Sequence, residues 1–270
     1  MVPLLLLPHW NHRVPAGDPD FTPAAGYSVH VAQDGTNKVC QVVGEFDRHA
    51  GLPTVNATES RYKFWGTDLG ASFEHKGRLY VLFGDTHPSD GLVRPPDSDS
   101  IAVSEDETPE NCLRLSFLTD DDGGFRPLHI PGVYSGAFAV PTGGFSIDGR
   151  MYVLATSDYP GRGPMGRSVL ARSDDDGRTF RYLYDVSADR LNHVAPVVVP
   201  ARTVPGLPEH AGESVLLWGS GDHRRSNPHL AFIPADEIED RAAMRHFAGI
   251  DPRTGRPLWS ADEAAGVPLF

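Results

Sequence analysis

The sequence contains only two cysteines, Cys40 and Cys112, in 270 residues. Two cysteines alone cannot form a disulfide framework or a zinc site. They can be joined in one bridge or remain as two buried thiols, and the sequence leaves both alternatives open. A small fold held together by many cross-links or by cysteine-bound zinc is therefore excluded.

Long apolar runs and an excess of positive charge are also missing. No run approaches the ~18 apolar residues of a membrane-spanning helix. The chain has 24 Lys and Arg residues against 36 Asp and Glu residues, which gives a net charge of -12. Because such a chain repels phosphate groups, we expect neither nucleic acid nor an anionic membrane as its main partner. The charge balance favours a neutral ligand such as a sugar.

The short motifs of several enzyme classes are absent. There is no H-E-x-x-H, no P-loop, no G-x-S-x-G and no dinucleotide-binding glycine fingerprint. Asp97 and Asp99, in the acidic run PPDSDS, are expected to be solvated loop residues. Their closely spaced oxygen ligands leave Ca²⁺ binding as an alternative, although the spacing matches no known calcium loop. The sequence therefore predicts neither a metal site nor a cofactor.

Glycine and proline are abundant, with 28 and 24 residues, and this composition favours many short strands and turns over long helices. A hairpin pattern is repeated along the chain. The stretch LGASFEHKGRLYVLFGDT (69–86) aligns with TGGFSIDGRMYVLATSD (142–158), and a looser copy covers 193–222. Alternating patterns typical of a third and a fourth strand follow each hairpin.

Four antiparallel strands that recur in this way are typical of the blades of a β-propeller. The sequence therefore predicts an all-β protein with a single propeller domain at 27–270, after an irregular extension at 1–26. We predict blades at about 64–130, 136–188 and 192–260.

Two turns support this fold class. The stretch SDDDGRTF, Ser173 to Phe180, matches the Asp-box pattern S-x-D-x-G-x-T-F, and TDDDGGF at 119–125 is a degraded copy. Such turns lie at the periphery of a blade, so they indicate a fold and not a catalytic site. Only the segment 236–244 has a helical pattern, of one or two turns.

Three blades do not close a ring, because propellers have at least four. Residues 27–63 contain strand patterns sufficient for an extra blade or a closing strand, and the chain ends at GVPLF where another inner strand would begin. We therefore expect a propeller that is incomplete at its C-terminus or completed in some other way. The start, MVPLLLLPHW, has no basic region and is a poor signal peptide.

Two aspartates, Asp68 and Asp85, mark the two ends of the first hairpin. Because the second strand runs back along the first, both carboxylates are expected at the mouth of the central channel that the first strands line. Glycoside hydrolysis requires such a pair, one protonated to assist the leaving oxygen and one ionised as nucleophile or base. The alternative is that Asp68 caps a strand end and Asp85 forms an Asx-turn.

Five further residues are candidates for substrate binding. Trp65 could stack on a sugar ring or plug the space between blades. Asp158 is the acidic residue at the equivalent point of the second hairpin, and Asp222 and Arg224 belong to the corresponding loop of the third. His193 opens the third inner strand, where it would face the channel or satisfy a polar strand end. Arg224 could hold a hydroxyl or a carboxylate, or be an exposed arginine without a ligand.

The motifs GTDLG, LYVLFGDT, SDSIAVSED, VPTGGF, GSGDHRRSNPHLA and FAGIDPRTGRPLWSADEA together resemble a five-bladed propeller family of unknown function. Its characterised members include actinobacterial endo-D-arabinanases, which are glycoside hydrolases. The resemblance covers about 40–270. It implies a five-bladed propeller that acts on carbohydrate, with Asp68 and Asp85 at the positions of the acidic pair. It also implies export. The chain departs from the family in one respect, since it stops about one and a half blades early.

The sequence therefore favours a monomeric glycoside hydrolase that cleaves arabinofuranosyl linkages in an arabinan-type polysaccharide or its oligosaccharides. The alternative is a non-catalytic propeller that binds glycan or protein at the channel mouth. A sialidase, suggested only by the Asp boxes, is disfavoured because its arginine triad and its tyrosine–glutamate pair cannot be assembled from this sequence.

Overall fold

The structure is a computed structural model that describes residues 38–88, 99–106, 108–134, 139–159, 163–208, 212–221 and 224–270. The predicted extension at 1–26 and the strand pattern at 27–37 lie outside these residues. No helix in the described ranges is both long enough and apolar enough to cross a lipid bilayer.

Antiparallel strands dominate the described part of the chain. A short hairpin, β1 (Phe46–Asp47) with β2 (Leu52–Pro53), is followed by one short helix, α1 (Thr58–Tyr62). The first large sheet contains β3 (Leu69–His75), β4 (Arg78–Gly84), β5 (Ser100–Ser104) and β6 (Ser116–Phe117). The second contains β7 (Pro141–Ile147), β8 (Arg150–Tyr159), β9 (Gly163–Ser173) and β10 (Arg181–Ser187). The third contains β11 (His193–Pro200), β12 (Glu213–Ser220), β13 (His229–Pro234), β14 (Arg245–Ile250) and β15 (Pro257–Ser260).

Tight turns set the register of the first two hairpins. Lys76 and Gly77 have φ angles of 51° and 73°, and Asp148 and Gly149 have φ angles of 49° and 71°. Two central residues with positive φ form the hairpin turn whose twist matches that of the flanking strands. Gly77-Arg78 and Gly149-Arg150 therefore occupy equivalent places, where the second strand of each hairpin begins to run back along the first.

The three large sheets stack face to face, with their first strands adjacent. Strand β7 lies between β3 and β11. Alternate residues of β8 are buried on opposite faces: Met151 and Val153 pack with the first sheet, whereas Tyr152 and Leu154 pack with the third. This is the arrangement of successive propeller blades. The all-β prediction is confirmed, and the number of five blades stays a prediction.

Two glycines allow the inner strands to approach closely. A Cβ atom added at Gly144 would lie 2.4 Å from Cε1 of Phe73, on β3, and one added at Gly143 would lie 2.4 Å from Cδ of Pro196, on β11. Neighbouring positions on a strand point to opposite sides, so each glycine serves a different neighbouring sheet. No larger residue fits without moving a packed side chain.

We expect Gly144→Ala to lower the free energy of unfolding by about 1–3 kcal/mol, because the methyl group forces the buried Phe73 ring out of its place. Urea denaturation of the variant measures this loss. The matched control is Gly66→Ala, since a Cβ atom at Gly66 meets nothing within 4 Å. Equal stability of the two variants would contradict the close-packing role of Gly144.

A buried histidine joins the first sheet to the second. His75 is 1% exposed, and its Nδ1 and Nε2 lie 2.8 Å from Ser146 Oγ and 3.0 Å from Asp176 Oδ1. Lys76 also reaches Asp176 Oδ1, at 2.6 Å. Hydrogen bonds from Lys76 and then His75 lower the pKa of Asp176. Both ring nitrogens of this buried side chain are therefore satisfied.

The segment before β3 covers the outer face of the first sheet. Tyr62 and Phe64 pack against Phe83 and Phe117 in a buried aromatic cluster. A disulfide between Cys40 and Cys112, 72 positions apart, fastens this segment to the loop before β6. The sequence left open whether the cysteines form one bridge or two thiols, and the structure shows the bridge.

One local expectation is corrected in the third sheet. The stretch 245–260, predicted as its fourth strand, forms two strands, β14 and β15, because the chain reverses between Asp251 and Arg256, where the Asp251 N–H donates to the Arg256 carbonyl oxygen at 2.9 Å. The segment 236–244, predicted as helical over one or two turns, coincides with two short 3-10 helices, Ala235–Glu237 and Arg241–Ala243. The helix α1 was not expected. The first two sheets have four strands each, as expected from their repeats.

Candidate functional site

The hairpin of β3 and β4 brings Asp68 and Asp85 to the same end of the first sheet. The Asp68 N–H donates to the Gly84 carbonyl oxygen at 3.2 Å. Beyond this point the two chains stay paired, through a bridge between Gly66 and His87. Asp68 is exposed and Asp85 is half-buried. The hairpin therefore begins just after Asp68 and ends just before Asp85, and both residues lie at the same end of the sheet.

The backbone at Asp85 is held in an unusual conformation. Asp85 has a φ of 48°, in the left-handed region that few residues other than glycine, asparagine and aspartate adopt. Its N–H donates to Asp99 Oδ1 at 3.2 Å. Aspartate adopts this region more readily than most residues do, and Asp148 adopts it in the turn between β7 and β8, with a φ of 49°.

Sequence reasoning missed the position of Asp99 in the fold. It is only 5% exposed, so the expectation of a solvated loop residue is wrong. The reason is that Asp99 immediately precedes β5, which pairs with β4, and its carboxylate turns inward to accept the Asp85 N–H. The signal in the sequence was its position directly before a third strand. Asp97 lies outside the described residues.

A cavity of about 380 Å³ opens where the first strands of the three sheets meet, and we call it the channel cavity. Gly70 and Ala71 of β3 line it, together with Pro141 and Thr142 of β7. The wall on the third sheet includes His193, Ala195, Trp218, Ser220, Arg224 and Pro228. Asp68 lies two residues before Gly70 along the chain, and the residues that line the cavity include neither Asp68 nor Asp85.

Two tryptophans lie at this end of the sheets with accessible rings. Trp65 is 43% exposed and Trp218 is 41% exposed. The exposure of Trp65 fits the stacking alternative better than a plug between blades. Sequence reasoning missed Trp218, which is exposed and follows four buried residues in β12. Exposed aromatic rings beside a cavity can stack on the apolar face of a sugar.

The other predicted residues divide into two groups. His193 and Arg224 line the channel cavity. Asp158 does not: it is half-buried, and its Oδ1 accepts the Met165 N–H at 3.3 Å. Asp222 lies outside the described residues. Within those residues, no group of three or more His, Cys, Asp or Glu side chains is placed to hold a metal ion.

Residues 54–270 match the profile of a family described as a domain of unknown function, DUF4185. The chain belongs to this family. No curated protein sequence matches this DUF4185 chain. The family description carries no activity, so the chemistry must be argued from the site itself.

Solved structures similar to this DUF4185 chain include three proteins that differ widely in sequence. A presumed hydrolase from Bacteroides ovatus is 12% identical, with a TM-score of 0.44, over 76% of this chain and 56% of its own. The GH32 β-fructofuranosidase of Bombyx mori is 15% identical, with a TM-score of 0.37, over 72% of this chain and 36% of its own. The α-L-arabinanase of Cellvibrio cellulosa, solved with arabinohexaose, is 13% identical, with a TM-score of 0.27, over 75% of this chain and 78% of its own.

The DUF4185 chain thus spans about half or less of the first two structures, 56% and 36% of their lengths. All three TM-scores lie below 0.5, so we draw no activity from these similarities.

Proposed function

We propose that this DUF4185 domain is a glycoside hydrolase that cleaves arabinofuranosyl linkages in an arabinan-type polysaccharide. The proposal depends on one observation, the position of Asp68 and Asp85 at the same end of the first hairpin. We infer that the pair acts on a substrate bound in the channel cavity, which Gly70 and Ala71 of the same hairpin line. The resemblance of the sequence to endo-D-arabinanases supplies the substrate class. The acidic pair supplies the reaction type.

The two aspartates divide the work of glycoside hydrolysis between them. One carboxyl group donates a proton to the leaving glycosidic oxygen, and the other acts as nucleophile or as base for water. Asp99 acts as a positioning residue, because it accepts the backbone N–H of Asp85 and fixes the left-handed conformation there. This arrangement holds one member of the pair before substrate arrives, as catalysis by preorganised groups requires.

The residues around the channel cavity would hold the sugar chain. We assign stacking on sugar rings to Trp65 and Trp218, both of which are accessible. Hydrogen bonds to hydroxyl groups would come from His193 and Arg224, which line the cavity. Asp222 stays a predicted substrate-binding residue. Asp158 is assigned a supporting role, since its carboxylate accepts the Met165 N–H.

The disulfide supports an exported protein. Disulfides persist in oxidising compartments and are rare in the cytosol, and Cys40 is joined to Cys112. We therefore expect the domain to meet its arabinan-type substrate outside the cytosol.

Product analysis tests this function directly. The purified protein is incubated with D-arabinan, L-arabinan and, as a control, a pyranose polymer such as mannan, and soluble products are separated by chromatography and identified by mass. We expect oligosaccharides from an arabinan and none from mannan. Saturable binding of arabinan without products after long incubation would instead support the non-catalytic glycan-binding alternative.

A further inference from the structure

A second and larger cavity, of about 640 Å³, lies where the second sheet meets the third, and we call it the rim cavity. Its polar lining includes Asp189, Asn192, Arg225, Ser226 and His229. Arg225, Ser226 and His229 belong to the motif GSGDHRRSNPHLA, and none of the five residues lines the channel cavity.

The two cavities share a wall. Four stretches of chain contribute one residue to the rim cavity and its neighbour to the channel cavity: Asn192 with His193, Gly221 with Ser220, Arg225 with Arg224, and His229 with Pro228. The two cavities therefore lie next to each other along these four stretches of chain.

Asn192, which lines the rim cavity, carries a buried hydrogen-bond acceptor. The residue is 1% exposed, and its Nδ2 donates to the Met165 carbonyl oxygen at 3.1 Å. This bond fixes the orientation of the amide group, and Oδ1 is left buried without a hydrogen-bond partner. Buried polar atoms are nearly always hydrogen-bonded. A ligand that donates a hydrogen bond here would satisfy Oδ1.

His229 adds a second hydrogen-bonding group. Its Nδ1 is buried without a hydrogen-bond partner. Burial and the positive charge of Arg190 lower the pKa of His229, against the smaller opposing effects of a hydrogen bond to the Asn227 backbone and of the carboxylates of Asp189 and Glu263. The ring is therefore neutral at pH 7 and can exchange hydrogen bonds with a neutral partner.

Charged side chains of both signs line the rim cavity. Asp189 adds a carboxylate, which opposes an anion, while Arg190 and Arg225 oppose a cation. Nη1 of Arg190 also donates to the carbonyl oxygens of Glu263 and Gly266. A neutral, hydroxyl-rich molecule matches this set of acceptors and donors best.

We propose that the rim cavity is a second sugar-binding subsite, which holds one unit of a saccharide whose neighbouring units occupy the channel cavity. This inference rests on the proposed function, and it adds a specific consequence. Affinity should rise with the length of the oligosaccharide, and the rise should depend on Asn192 and Arg225.

Calorimetric titration with arabino-oligosaccharides of two, four and six units tests the inference. The titrations use the full chain with Asp68→Asn, to suppress cleavage, with and without Asn192→Ala or Arg225→Ala. We expect each rim variant to lose on the order of tenfold in affinity for the six-unit ligand, the effect of one or two hydrogen bonds, and less than about twofold for the two-unit ligand. Arg253→Ala, at an exposed arginine outside both cavities, should bind like the parent chain.

The possible outcomes distinguish a failure of the subsite from a failure of the proposed function. Unchanged affinities in Arg225→Ala, whose side chain is exposed and whose loss should not unfold the protein, would overturn the subsite and leave the proposed function intact. An equal loss for all ligand lengths would also overturn it. If neither the unsubstituted chain nor Asp68→Asn binds any arabino-oligosaccharide, the proposed function fails and the subsite fails with it.

Discussion

Asp68→Asn and Asp85→Asn should each lower the rate of arabinan hydrolysis by ~10²–10⁴-fold, the range for removal of a general acid or base. Each substitution removes the proton-transferring or nucleophilic oxygen and keeps the size of the side chain. Stability should change by less than about 0.5 kcal/mol in Asp68→Asn, since this residue is exposed and surface substitutions rarely cost more. Initial rates of reducing-sugar release, together with thermal melting, measure both quantities.

Asp85→Asn is also a mild change to the backbone. Asparagine tolerates the left-handed conformation that Asp85 adopts, with its φ of 48°, nearly as well as aspartate does. The bond from the backbone N–H of residue 85 to Asp99 does not involve the substituted side chain. A loss of activity in this variant would therefore reflect chemistry and not a rearranged hairpin.

Asp148→Asn is the matched control for this experiment. Asp148 is an exposed aspartate with a φ of 49°. It lies in the turn that joins β7 to β8 in the second sheet, whereas Asp68 and Asp85 flank the open end of the hairpin in the first sheet. The control should keep the full hydrolysis rate. Wild-type rates in Asp68→Asn or Asp85→Asn would remove that residue from the chemistry, and a similar loss in Asp148→Asn would show a general effect of lost negative charge.

Loss of the disulfide should be the largest change in stability. The link between Cys40 and Cys112 closes a loop of 72 positions, and a loop of this length is expected to stabilise the fold by about 4 kcal/mol through the entropy of the unfolded chain. We therefore expect Cys40→Ser combined with Cys112→Ser to lower the urea midpoint strongly. The segment that this link fastens covers the aromatic cluster on the first sheet.

Reduction supplies the internal control for this second prediction. A reducing agent should lower the urea midpoint of the unsubstituted protein to about that of the double variant, and it should leave the double variant unchanged. An unaltered midpoint in the double variant would mean that the aromatic cluster alone holds the segment in place.

Local patterns predicted the hairpins because their causes are local. The turns at Lys76–Gly77 and Asp148–Gly149 each place two adjacent residues at positive φ, and alternating apolar residues mark the strands that follow. These two features fix which residues face each other. The expectation that Asp68 and Asp85 meet at one end of the sheet needed no more than this.

Contacts between distant segments could not be predicted in the same way. Asp99 is buried because β5 pairs with β4, and the sequence of its loop carries only the composition of a solvated turn. Trp218 contributes to the channel cavity because the third sheet packs beside the first two, and hydrophobic alternation does not distinguish that position. The pairing of Cys40 with Cys112 likewise depends on packing across the first sheet.

The glycines at 143 and 144 have a consequence for how this scaffold can change. Because no side chain separates β7 from Phe73 or from Pro196 at these positions, the spacing of the inner strands is fixed by main chain and rigid rings. Rotamer changes cannot widen the passage between them. New specificity in relatives of this protein should therefore arise in the segments that follow the second strand of each sheet, where residues such as Arg224 and Arg225 can be exchanged without disturbing that spacing.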